Sequence, residues 1–217
     1  MIKISGLKLA FTKEYYALYN INLEVQNGKT LVLLGDSESG KTTLLRAIAG
    51  LEKYGEGEIY LNEMNLKQID FSKDVNLGYI SYKPVFFNNK SVYQNLEYVL
   101  KIRKNDEVNS KLKINQALKN YGIEAIKDLK IKEISAYQKI LVQLARLSLR
   151  PIEIYLIDNI FKNLTTSETE KLVAYIKELQ KQSATFIIGV NTKELANEFS
   201  TDIIKLKFGS IVTDEEV

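Results

Sequence analysis

The chain has 217 residues, 45% hydrophobic and 26% charged, the make-up of a globular protein able to bury a core unaided. It has no Cys and no His, which excludes disulfides, thiolate and imidazole metal sites, and every triad with an imidazole base. The net charge of +3 rests on 26 Lys against 4 Arg, and so few bidentate guanidinium groups argue against a nucleic-acid partner.

In chain order, residues 21–25 alternate apolar and polar and read as a half-exposed strand, and Thr30–Leu34 reads as a fully buried one. Gly35–Gly40 is a glycine- and serine-bearing turn, and Lys41–Ala49 a helix stopped by Gly50. Gly57–Leu61 and Asn76–Ile80 are two more strands. Residues 91–129 turn helical and lysine-rich, with Gly122 as a break. Gln138–Leu149 is a helix ended by Pro151, followed by a strand over Ile152–Ile157 with Asp158 at its exit. Thr165 and Glu168 have the spacing of a capping box and start a helix to about Gln182. Strands at Thr185–Val190 and Asp202–Leu206 flank a short helix around Glu194–Glu198. Alternating strands and helices on both sides of a helical insertion predict an α/β fold with a mostly parallel sheet and a helical subdomain.

Lys3, Lys8 and Lys13 interrupt the first residues before a signal-peptide core could form, and no apolar run approaches the roughly eighteen residues that span a bilayer. A soluble, cytoplasmic chain is expected, with any membrane role supplied by a partner.

Gly35-Asp36-Ser37-Glu38-Ser39-Gly40-Lys41-Thr42 matches G-x-x-x-x-G-K-[ST] between a predicted buried strand and a helix. Glycines let backbone amides turn inward around a polyphosphate, Lys41 reaches the outer phosphates, and the Thr42 hydroxyl holds Mg²⁺. The helix adds its positive N-terminal end, with Thr43 beside it. An aspartate closing a buried strand, as Asp158 does, suits a second Mg²⁺ contact through water. ATP and Mg²⁺ are the cofactors expected.

At these residues the chain resembles the nucleotide-binding subunit of ATP-binding-cassette (ABC) transporters, over essentially its whole length. The likeness is carried by Asn20–Gly50, Gly78–Leu96, Ile134–Asp158 and Thr185–Gly209, similar in turn to the phosphate-loop region, the entry to the helical subdomain, the signature helix with the Walker B strand, and the switch and closing strands. The resemblance implies a P-loop NTPase (RecA-like) fold, with a mostly parallel sheet, an antiparallel β subdomain and an inserted helical subdomain. It implies one ATP-binding domain over residues 1–217, with a core of 1–82 and 138–217 and an insertion at about 88–137. It also implies a second nucleotide-binding subunit, transmembrane permease subunits gripped near the insertion, and a peripheral place on the inner face of the cell membrane. The spacing from the phosphate loop to Tyr82 is most like the sugar- and polyamine-importer branch.

The chain departs from the family at several positions. Glu38 stands at a loop position that is usually Gly, with Asp36 nearby, and two carboxylates beside a polyphosphate are unfavourable unless they turn to solvent. Tyr82 replaces the glutamine that senses the γ-phosphate. Ser135 and Gln138 of the signature remain, but its two glycines are Ala136 and Tyr137. The glutamate after the Walker B aspartate is Asn159, which can orient water but cannot accept its proton, a loss of about 10²–10⁴-fold. The switch histidine corresponds to Asn191, and the D-loop aspartate to Thr165.

The function expected is an ATP-binding subunit of an ABC transporter that drives or gates permease subunits with impaired hydrolysis. The alternatives are an active ATPase in which Asn159 and Asn191 are compensated, or a non-transport regulator of the same family. A GTPase would carry N/T-K-x-D, which Asn191-Thr192-Lys193-Glu194 does not match, and a kinase lid would need more arginine. Phe11, Tyr15 and Tyr16 are the aromatics available to stack on adenine. Lys101–Lys104 and Lys111–Lys113 are basic clusters, read as a solvated face or a contact for anionic headgroups or an acidic permease loop.

Overall fold

The computed structural model describes residues 1–12, 15–102 and 107–212, with the side chains of Tyr15, Glu107 and Val108 also outside the description. Lys13, Arg103, Lys104 and the stacking candidate ring of Tyr15 therefore lie outside the described residues.

The chain divides into two compact units, Met1–Tyr79 with Glu153–Val217, and Ile80–Ile152. The strands are β1 (Ile2–Thr12), β2 (Tyr15–Val25), β3 (Thr30–Leu34), β4 (Glu56–Leu61), β5 (Met64–Asn65), β6 (Leu77–Ser81), β7 (Ile154–Asp158), β8 (Thr185–Val190), β9 (Ile203–Lys207) and β10 (Ser210–Val212). The helices are α1 (Lys41–Ile48), α2 (Val92–Ile102), α3 (Glu107–Asn120), α4 (Ala136–Ser148), α5 (Thr166–Gln180) and α6 (Lys193–Phe199).

A six-stranded sheet runs in the order β10-β9-β3-β8-β7-β6, with β3 parallel to β8 and β9 and β8 parallel to β7. Every residue of β7 and β8 is buried. That is why these strands read as unbroken apolar runs: a central parallel strand has no solvent face on which to place polar residues. Because β3, β8 and β7 are parallel neighbours, the segments leaving their C-terminal ends come out side by side. These are Gly35–Gly40, Asn191 and Asp158–Asn159, the place where open α/β sheets form sites.

A second sheet, of order β2-β1-β4-β5, is antiparallel, with Ile4 opposite both Leu23 and Ile59. Its inner face, α1 and the adjoining strands share one apolar core built around residues such as Ile4, Leu7, Leu18, Ile21, Leu45, Ile59 and Ile187.

Strands β1, β5 and β10 and the first half of β2 were not expected from the sequence. In β1 the buried residues are Ile2 and Ile4, then Leu7 and Leu9, because Gly6 at φ 57 shifts the register between them. The bulge breaks the period-2 pattern by one residue and hides the strand.

In the second unit α2, α3 and α4 pack pairwise. Buried Asn95 ties the entry loop to α2: its Oδ1 accepts from Phe87 N–H at 3.0 Å, and its amide donates to the Phe87 and Ser91 carbonyls at 3.2 and 2.9 Å. Gln143 of α4 exchanges two bonds with the Ser81 backbone, at 3.0 and 2.9 Å.

Helix α5 starts as predicted. Thr165 Oγ1 accepts from Glu168 N–H at 3.3 Å, and Thr165 N–H donates to Glu168 Oε2 at 2.9 Å. Thr165→Ala should destabilise the protein by about 1 kcal/mol through loss of this cap, lowering Tm by about 2–4 °C for a chain of this size. An unshifted thermal melt would mean that solvent caps α5 equally well.

Candidate functional site

The loop between β3 and α1 is built around Lys41. This side chain is only 4% exposed, and its ammonium donates to Gly35 C=O at 2.6 Å, Asp36 C=O at 2.8 Å and Ser39 Oγ at 3.1 Å. All three of its N–H bonds are thus used, as a buried charge requires. Burial holds the Lys41 ammonium below its ordinary value of 10.5, while the Asp158 and Asp36 carboxylates oppose the shift.

Two glycines set the path of the loop. A Cβ on Gly35 would come within 2.4 Å of Leu206 O and 2.7 Å of Ser39 Oγ. Gly40 has φ 104 and packs on β2, where a Cβ would meet Ala17 O at 3.0 Å. Gly209 N–H donates to Ser39 C=O at 3.0 Å, so the β9–β10 turn props the loop from outside. The first turn of α1 has no acidic residue, and its first backbone bond is Leu44 N–H to Gly40 C=O at 2.9 Å. The amides before Leu44 point out of the helix toward the loop, an arrangement that favours an anion.

Asp36, Ser37 and Glu38 are exposed, so both loop carboxylates face solvent. Glu38 has φ 68, in the left-handed region that disfavours a residue with a Cβ. This explains why a glycine suits the position.

Thr42, exposed at the start of α1, donates its hydroxyl to Asp158 Oδ1 at 2.8 Å. Asp158 is 5% exposed at the end of β7. Its other oxygen accepts from the Tyr79 hydroxyl, also at 2.8 Å. Tyr79 lies on β6 and belongs to no motif. Its only sequence signal is a phenol among the apolar residues of that strand. Burial first, then the Asp158 charge and hydrogen bond, push this phenol well above its ordinary value of 10.0, with the Arg46 guanidinium opposing. The phenol therefore remains a donor at ordinary pH.

Asn159 is half-buried with φ 49, and its N–H donates to Gly189 C=O at 3.1 Å. Asparagine tolerates this backbone better than other residues with a side chain. Asn191 follows β8, whose Val190 C=O accepts from Gly35 N–H at 3.3 Å, and its Oδ1 is buried without a hydrogen-bond partner among the described residues. Thr43 is half-buried in α1.

Phe11 and Tyr16 are 59% and 43% exposed on the β1–β2 hairpin. The Tyr16 ring packs edge-on against Tyr19, with centroids 5.5 Å apart, and Lys8 Nζ lies 5.6 Å from the Tyr19 ring centre.

Tyr82, Ser135 and Gln138 fall in the second unit. Ser135 caps α4: its Oγ accepts from Gln138 N–H at 3.1 Å, and its own N–H donates to Gln138 Oε1 at 2.8 Å. The helix therefore begins at Ala136, two residues before the start expected from the sequence. Ser-x-x-Gln is itself a capping-box signal that would have placed it.

Replacing Glu38 by Gly should raise stability by roughly 0.5–1 kcal/mol, the left-handed strain relieved minus the entropy that glycine adds to the unfolded chain. Thermal melts read this directly, and an unchanged or lower midpoint would show that Glu38 carries no strain.

A family model described as ABC transporter matches residues 18–162. The sulfate/thiosulfate import ATP-binding protein CysA of Synechocystis sp. is 32% identical over 200 residues, covering 91% of this chain and 56% of the relative. The spermidine/putrescine import ATP-binding protein PotA of Legionella pneumophila (strain Paris) is 32% identical over 196 residues, covering 89% of this chain and 53% of the relative. The chain thus spans little more than half the length of these relatives. Among solved structures, the fold matches the ATP-binding cassette MJ0796 bound to ADP and Pi at a TM-score of 0.87, with 23% identity, 98% of this chain and 97% of the other covered. It matches cbiO1 of Clostridium perfringens at a TM-score of 0.82, with 24% identity, 98% of this chain and 86% of the other covered. The fold is that of an ABC cassette, and a family match over more than half of the sequence, joined to relatives aligned along nine-tenths of it, shows that the chain belongs to the ABC transporter family, among its nucleotide-binding subunits.

Proposed function

We propose that the chain is the ATP-binding subunit of an ABC importer, that it holds Mg-ATP on the Gly35–Thr42 loop, and that its own hydrolysis is impaired. The observation that carries the reading is the meeting of a buried, fully hydrogen-bonded Lys41 with the Thr42–Asp158 pair at 2.8 Å.

These residues fit the cofactors. Lys41 and the outward amides of α1 suit the phosphates, and the Thr42 hydroxyl with the Asp158 carboxylate offers the oxygen ligands that a hard divalent cation takes. Bound Mg²⁺ supplies neutralisation of the phosphate charge. Lys41 would exchange its bonds to loop oxygens for bonds to phosphate. Tyr16, next to Ala17 where β2 meets Gly40, is favoured over Phe11 for stacking on the base, because its ring is already held by Tyr19.

The case for impaired hydrolysis is chemical. Asn159 accepts no proton, and no acid follows it before Glu168. Asn191 Oδ1 lacks a donor, and a water can supply one, so both amides are suited to orienting water and neither to activating it. Ser135 and Gln138 serve a partner subunit's nucleotide in this reading, beside Ala136 and Tyr137 where the family has glycine. Cassette MJ0796 is dimeric in its solved structure. With both faces altered, a heterodimer is favoured, and hydrolysis occurs at the partner's own site. The importer assignment comes from the relatives. CysA and PotA are named for different solutes at the same 32% identity, so the solute is set by other subunits.

No helix among the described residues is long and apolar enough to cross a membrane. Attachment at the inner face of the membrane therefore falls to permease subunits. A recess of about 260 Å³ on the second unit, lined by Phe87, Lys90, Gln94, Tyr98 and the ion pair Glu97–Lys101, is in this reading the surface that receives a permease loop.

Calorimetry with Mg-ATP should show binding that Lys41→Ala abolishes, and phosphate release should stay well below the roughly 1–10³ s⁻¹ of ordinary enzymes. Turnover within that range, lost in Lys41→Ala, would favour the compensated ATPase, and no uptake of millimolar ATP would end the reading. Affinity should also weaken as pH rises toward 10.5, the ordinary lysine value, because the depressed Lys41 releases its proton below it. In that window the unfolded chain holds more protons, so the contribution of Lys41 to stability rises with pH as phosphate binding falls. A flat affinity up to 10.5 would contradict the shift.

A further inference from the structure

Asp158 is buried, and two hydroxyls approach its carboxylate from different elements. Thr42 of α1 donates to Oδ1 and Tyr79 of β6 donates to Oδ2, each at 2.8 Å. A carboxylate held at both oxygens by donors on separate, packed elements has one orientation that satisfies both. The Tyr79 ring cannot easily drift away. It sits on a sheet strand and packs against the apolar core. Arg46 of α1, beside its hydroxyl, is itself fixed by Glu52 at 2.8 Å and by the Leu51 carbonyl.

We propose that Tyr79 is a positioning residue for the cation of Mg-ATP: by holding Asp158 Oδ2 it keeps Oδ1 turned toward Thr42, where the cation's ligands are needed. This rests on the Mg-ATP reading above. Tyr79 touches neither nucleotide nor cation. It acts only through Asp158, as outer-shell partners of metal ligands do, and loss of such a partner typically lowers metal affinity about 10–100-fold. With the hydroxyl removed, Oδ2 becomes a buried acceptor without its donor, and the carboxylate is free to rotate toward any other donor within reach.

The test is the gain in ATP affinity that Mg²⁺ brings, measured by calorimetry in Mg²⁺ and in EDTA for wild type, Tyr79→Phe, Asp158→Asn and the double variant. Tyr79→Phe should cut that gain about tenfold while the affinity in EDTA stays unchanged. In the Asp158→Asn background the same substitution should change nothing further, because the group through which Tyr79 acts is gone. Tyr79→Gln, whose amide N–H can also donate, should recover part of the gain, and it covers the case in which the bare phenyl ring does not fold. A merely structural role would lower Tm in EDTA and leave the gain intact. An unchanged or larger gain in Tyr79→Phe, or an equal loss in the Asp158→Asn background, overturns the role of Tyr79 alone. Wild type that takes up no ATP overturns the Mg-ATP reading and this inference together.

Discussion

A buried ammonium without partners costs far more than a domain can spare, and the loop between β3 and α1 is organised around that fact. Lys41 recruits the carbonyls of Gly35 and Asp36 and the hydroxyl of Ser39, so the loop must curl back on its own lysine. Curling so tightly leaves no space for a side chain at Gly35 and demands a left-handed turn at Gly40. The β9–β10 turn and β2 then close on the outside of the loop, Gly209 on Ser39 and Ala17 on Gly40. The antiparallel sheet and the closing hairpin are therefore more than an appended layer. They hold the shape that the ammonium imposes.

Those supports explain what the sequence disclosed and what it did not. β3 and β8 have the bounds read from the sequence, since strands buried on both faces must be apolar throughout. The capping box of α5 was equally plain, because its two partners lie three residues apart. β1 was hidden by one bulge at Gly6, where a single inserted residue moves the apolar face out of phase. β10 has three residues, too few for any periodicity to register. Within the site, the loop is legible because its residues are adjacent in the chain, and Asp158 because an acid closes an apolar strand. Tyr79 is not, since its partner lies 79 residues away and only sheet order brings them together.

Several residues that stand out against the family pattern also answer to local backbone demands. Asn159 occupies a left-handed backbone, φ 49, that an asparagine accepts more easily than a glutamate. Ser135 and Gln138, which the resemblance matches to the signature, satisfy each other's backbone at the start of α4. Thr165, which the resemblance matches to the D-loop aspartate, caps α5. Glu38 is the opposite case, a residue placed against its backbone preference at φ 68 with its charge sent to solvent.

The distinction bears on how the site should be understood. A residue required by a cap or a left-handed turn says little about chemistry, since folding alone accounts for it. The residues that folding does not account for are more informative. A lysine buried at the cost of its solvation, and a carboxylate buried between two hydroxyls, both work against stability unless something is gained by holding charge out of water. Neither group is needed to pack the core, where an aliphatic side chain would serve better. Lys41 follows β3 and Asp158 ends β7, on either side of β8, and this placement supports the proposed Mg-ATP site beside Asn159 and Asn191, whose amides cannot take a proton. In the proposed reading binding and cleavage draw on separate groups, and the first set, Lys41, Thr42 and Asp158, has its hydrogen bonds in place.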